Sequence, residues 1–147
     1  MTAQDLENLP KAELHLHLFG AMPPAFVADQ LRKYPAKRVL DDAADRHRKM
    51  FLASSHVREF IETGGTAERI PGLFRFRTFE GFVASWIFLW YLVRDAGDLT
   101  RLIDGVAEGL KAQEIAYAEI TISAVEQVMQ GIPLAEVSPA NAINAPA

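Results

Sequence analysis

The sequence contains no cysteine. That absence excludes both a disulfide framework and a cysteine-built zinc site. A surplus of one charge is missing as well: 15 Lys and Arg stand against 19 Asp and Glu, for a net charge of −4. No basic run forms a phosphate-tracking stripe, so nucleic acid is not expected as a partner. Long apolar runs are absent too. The most lipid-like stretch, "GFVASWIFLWYLV" from Gly81 to Val93, is too short for a bilayer, which needs about 20 residues. It reads as a buried helix, and no membrane association is expected. The opening "MTAQDLENLPKAE" has no apolar signal core, and no internal repeat is visible. A cytoplasmic protein is the expectation.

The 147 residues are 50% hydrophobic and 23% charged, the profile of a soluble globular chain about the size of one domain. Residues 12–18 alternate, with Glu13, His15 and His17 on one face and Leu14, Leu16 and Leu18 on the other, which is a strand signal. Pro24 suits the first turn of a helix that must stop before Pro35. Arg38 to Phe60 reads as one or two polar-faced helices, ended by Gly64-Gly65, and "ERIPGLFRFR" as a loop. From Thr78 to about Arg94, the residues Phe79, Phe82, Val83, Trp86, Ile87, Trp90 and Val93 recur at helical spacing. A second helix is expected to open at Asp98 as N-cap, bury Leu99, Leu102, Ile103, Val106 and Leu110, and end near Gln113. "IAYAEITIS" reads as a second strand. Strand, long helical excursion, strand is the pattern of a parallel α/β unit.

His15 and His17, at i and i+2 of a strand, share a face about 6.6 Å apart along the chain. Two imidazoles so placed can converge on one metal ion. They can equally be ordinary polar residues of a half-exposed strand. In the first case the alternating leucines pack on the opposite face, under covering helices. Zinc in a hydrolase takes about three protein ligands and keeps an open position for water. His47 and His56 lie in charged helical stretches and are expected to be solvated.

"LPKAELHLHLFGAMPP" closely resembles the opening of the adenosine deaminase family, which begins Pro-Lys-x-Glu-Leu-His-x-His-Leu, an acidic residue, then Gly-Ala or Gly-Ser. "FEGFVASW" resembles that family's Phe-rich helix near the substrate entrance. "DLTRLIDGVAEGLKAQEIAYAEITIS" is similar to the helix and second strand that follow. The resemblance covers roughly residues 9 to 136. It implies an α/β fold, the N-terminal part of a TIM-type (β/α)8 barrel with about two strands plus helices. It implies a zinc ion on His15 and His17, and a purine nucleoside or related small molecule bordered by His17, Phe19, Gly20, Phe82 and Trp86. Phe82 and Trp86 would form an apolar lid, or simply pack in the helix. Glu13 and Glu119 would be polar residues inside the barrel.

The resemblance also has limits. Phe19 stands where the family usually has Asp or Glu, so a less polar ligand is expected at that end. A complete barrel takes about 250 residues, and the family's third histidine ligand and His-Ala-Gly-Glu segment are absent. Residues 1–136 are therefore expected to form a partial deaminase-type domain and 137–147 a disordered tail, as in a truncated or frameshifted product. No catalytic residue is assigned, and the chain alone should be nearly inactive. The alternative is a non-catalytic remnant that binds or oligomerises, self-associating through an exposed sheet edge. A different His-x-His hydrolase, such as a phosphoesterase, is a third reading.

Overall fold

The computed structural model describes residues 9–137, so the expected tail lies outside the described residues apart from Val137. The architecture is α/β. Strands β1 (Lys11–His17) and β2 (Ile115–Thr121) pair in parallel as a two-stranded sheet. Between them run α1 (Pro24–Lys33), α2 (Ala36–Asp42), α3 (Asp45–Ala53), α4 (Ser55–Glu62), a 3-10 turn (Ala67–Arg69), α5 (Ile70–Leu73), α6 (Phe79–Trp90) and α7 (Ala96–Ala112). After β2 come α8 (Ala124–Met129) and α9 (Leu134–Val137). Val137, the first residue of the expected tail, closes α9. No helix among the described residues is long and apolar enough to cross a membrane.

The described residues fall into two compact units. One takes the chain up to Pro23 together with everything from Asp95 onward; the other is Pro24–Arg94.

The sheet-bearing unit follows from two alternating segments that cannot be joined by a hairpin, because parallel strands need a crossover. The ladder runs from Lys11↔Ile115 to His17↔Thr121, with two register irregularities, at Lys11/Ala12 and at Glu13/Leu16. Lys11 N–H donates to Glu114 O at 3.0 Å before the ladder, and Leu18 N–H to Thr121 O at 3.1 Å after it. The leucine face is covered only at one end: Leu18 is fully buried, Leu16 half-buried and Leu14 64% exposed. Leu18 is thus buried as expected, whereas the exposed Leu14 corrects the expectation of cover over all three leucines. Helix α7 opens a turn earlier than expected. Asp95 is its N-cap, accepting from Asp98 N–H at 2.7 Å, while Asp98 is buried in the first turn. Of the predicted stripe, Leu99, Leu102 and Val106 are buried, while Ile103 and Leu110 are only half-buried. Gly105 leaves room for Pro23, whose Cγ would lie 3.3 Å from any Cβ there.

In the Pro24–Arg94 unit, α1 starts at Pro24 and ends before Pro35, as the proline chemistry requires. Extended backbone at Ala43, Ala44 and Ser54 then cuts the polar stretch into three short helices, not one or two. Gly64 and Gly65 follow with φ of +82° and +64°, a left-handed turn that suits glycine. The expected loop at "ERIPGLFRFR" contains helical turns instead, because Ile70 and Leu73 are buried one turn apart and Pro71 sits at the helix start, where its missing N–H costs nothing. Helix α6 is capped by Thr78, whose hydroxyl accepts from Gly81 N–H at 3.1 Å. The core of the unit is aromatic: Phe51 and Phe60 each meet Phe88 edge-on at 5.7 Å, and Tyr91 lies 6.1 Å from Phe51. Burying one such ring stabilises by about 1.5–3 kcal/mol. The buried side of α6 carries Ala84, Ser85, Ile87 and Phe88, whereas Phe79 is 73% and Phe82 38% exposed. The expected apolar set therefore straddles both faces.

Candidate functional site

The histidine pair stands where the alternation of β1 puts it. His15 and His17 are both exposed, and their rings approach edge-on with centroids 4.8 Å apart. Their Nε2 atoms are 3.0 Å from each other. His17 is the last residue of β1, so the pair occupies the carboxyl end of the strand, where sites in parallel α/β folds form. The register irregularity between Glu13 and Leu16 falls on this stretch, and such irregularities re-aim side chains. His15 N–H is held by Glu13 Oε1 at 3.4 Å.

Two nitrogens each about 2.0–2.1 Å from a tetrahedral zinc stand about 3.3 Å apart. The observed separation fits two adjacent positions of such a shell. Among the described residues no group of three or more His, Asp or Glu side chains gathers to complete one.

The other sequence-predicted residues are placed as follows. Phe19 is 2% exposed, its ring buried just after the strand. Gly20 is exposed, and a Cβ there would lie 3.4 Å from His17 O. Phe82 and Trp86 belong to α6 in the other unit. The Phe82 ring lies 5.1 Å from Phe76 and 6.0 Å from Phe79, while Trp86 is half-buried. Glu119, expected inside, is exposed and accepts the Tyr117 hydroxyl at 2.8 Å. That bond, with the carboxylate's charge, raises the Tyr117 pKa above its ordinary value.

His47 and His56 correct the expectation of solvated side chains. His47 is 6% exposed, with Nδ1 2.9 Å from Tyr91 Oη and the Trp90 ring edge-on. Arg46 Nε donates to His47 Nε2 at 3.0 Å, so the proton sits on Nδ1. Burial first, then the Arg46 charge, pushes the His47 pKa down. His56 bridges Ser54 Oγ, 3.1 Å from Nδ1, and Ser85 Oγ, 2.7 Å from Nε2. Burial lowers its pKa as well. No local signal revealed either, since the partners Tyr91 and Ser85 lie far along the chain.

Fold and site together define an α/β protein with paired imidazoles at the carboxyl end of a parallel strand. No protein-family profile matches the chain. Individual proteins do. It is 30% identical over 140 residues to an aminodeoxyfutalosine deaminase of Acidothermus cellulolyticus, covering 93% of this chain and 33% of the relative. It is 27% identical over 135 residues to the aminodeoxyfutalosine deaminase of Streptomyces avermitilis, covering 89% of this chain and 31% of that protein. A third relative of the same name, from Streptomyces coelicolor, is 27% identical over 127 residues, covering 86% and 27% respectively. The chain spans about a third of the length of these relatives.

Proposed function

We propose that this chain corresponds to the N-terminal part of a zinc-dependent deaminase that removes ammonia hydrolytically from a 6-aminopurine nucleoside-type substrate. Aminodeoxyfutalosine is the first compound to test, because the relatives bear that name. The observation that carries the reading is the 3.0 Å approach of His15 and His17 Nε2 at the carboxyl end of β1. On this reading β1 and β2 are two strands of a (β/α)8 barrel, within a domain over 1–136 followed by a tail at 137–147. A bound zinc ion would supply a water acidified towards neutrality. His15 and His17 would hold that metal through Nε2. Gly20 keeps the backbone beside His17 open to a ligand, and the buried Phe19 ring removes the acceptor that an acidic residue would offer there.

The remaining ligands and the proton-moving groups would lie in the two thirds of the relatives that this chain does not span. Zinc titration of the full chain by calorimetry tests the pair. Weak binding that His15→Ala and His17→Ala each abolish is expected; variants that bind zinc as tightly as the parent overturn the assignment. Ammonia release from adenosine or aminodeoxyfutalosine should be undetectable with the chain alone, and measurable turnover would refute that part.

A second reading, an associating module, is favoured by the exposed Leu14 and Tyr117 on a sheet of only two strands among the described residues. Sedimentation decides it: a monomer with cooperative unfolding counts against it.

A further inference from the structure

The Pro24–Arg94 unit contains an open cleft of about 1180 Å³. Its lining carries four permanent cations, Arg46, Lys49, Arg75 and Arg77, against one carboxylate, Glu80. Lys49 is paired with Asp45 at 2.8 Å, and Arg46 gives its Nε to the neutral His47. The guanidinium groups of Arg75 and Arg77 have no partner among the described residues. A surplus of positive charge therefore lines the cleft at Arg75 and Arg77, two residues apart in sequence, and arginine is the side chain best shaped for bidentate capture of a carboxylate or phosphate. His56 lines the same wall and is fixed in place by Ser54 and Ser85. Gly81 admits it: a Cβ there would lie 3.1 Å from His56 Cε1. Beside the cations the wall turns apolar, with Met50, Val83 and the 73%-exposed Phe79 ring.

We propose that this cleft is a binding site for a small anionic ligand that carries an apolar ring, with its phosphate or carboxylate on Arg75 and Arg77 and its ring against Phe79. The charge excess is local, since the whole chain is net acidic at −4.

The test uses the full chain with phenyl phosphate as probe, and with inorganic phosphate and phenol as its separated halves. Calorimetry should show saturable 1:1 binding of phenyl phosphate, tighter than either half and weakening as salt rises. Amide shifts at Ser54, Thr78 and Gly81 should move together during the titration. The double variant Arg75→Ala/Arg77→Ala should weaken phenyl phosphate at least tenfold, while Phe79→Ala should abolish its advantage over inorganic phosphate. A charge-matched control, Arg32→Ala/Lys37→Ala, should change affinity less than twofold. His15→Ala/His17→Ala should leave binding unchanged, which separates this site from the metal reading. Absence of saturation, full affinity in the Arg75/Arg77 variant, or equal losses in the control each overturn the proposal. So does an RNA oligonucleotide binding more tightly than phenyl phosphate.

Discussion

Replacing Tyr91 by phenylalanine removes one buried oxygen and little else. Tyr91 is 7% exposed, and its hydroxyl receives the Ala44 N–H at 3.0 Å and faces His47 Nδ1 at 2.9 Å. The His47 ring cannot move its proton to Nε2 without losing the Arg46 bond there, so Nδ1–H stays a donor with no acceptor. A buried donor left unsatisfied costs about 1–3 kcal/mol. Ala44 is exposed, so its N–H reaches water and adds little. Tyr91→Phe should therefore destabilise by about 1–3 kcal/mol, which for a chain of this size lowers the Tm by about 2–12 °C. Urea unfolding followed by tryptophan fluorescence measures it well, because Trp90 packs edge-on to His47. A loss below about 0.5 kcal/mol, the range of neutral surface substitutions, would refute the argument that the His47–Tyr91 pair is a committed donor and acceptor.

Two further outcomes follow from the same unit. Gly65→Ala forces a side chain into a left-handed backbone and places its Cβ 2.8 Å from Ala36 Cβ, so a loss of at least about 1–3 kcal/mol is expected by chemical denaturation; an unchanged midpoint would contradict the positive φ. His47 and His56 both have pKa values held below 6.5 by burial, so the unfolded chain takes up their protons more readily. The stability present above about pH 6.5 should therefore fall as pH drops towards 5, and a urea midpoint that stays flat from pH 7.5 to 5 would refute that linkage.

Much of the fold was legible because its signals are local. Period-two alternation marks β1 and β2, and Pro24 and Pro35 bracket α1. The histidine pair was legible for the same reason. What was hidden depended on distant partners. Helix α6, "FEGFVASWIFLW", is apolar nearly all round, so periodicity cannot say which side faces inward, and Phe79 and Phe82 turned outward. Asp95 and Asp98 both look like caps, and only the backbone shows that the first caps the second. His47 sits between two arginines in sequence, yet its environment is set by Tyr91 and Trp90. The cationic cleft joins residues of α3, the start of α4 and the segment before α6, none of which carries a motif alone.

The two irregularities in the β1–β2 ladder cancel. Pairing at His17↔Thr121 has the same offset as at Lys11↔Ile115, so both strands finish level, joined by the Leu18–Thr121 bond. The segments that follow, Leu18 to Met22 on one side and Ile122 to Ser123 on the other, thus leave from a common rim beside the imidazoles. Residues on that rim can change without altering the spacing of His15 and His17, which the strand backbone sets. Phe19, buried just after β1, belongs to one of these segments, so a change there leaves the strand positions of the two histidines in place.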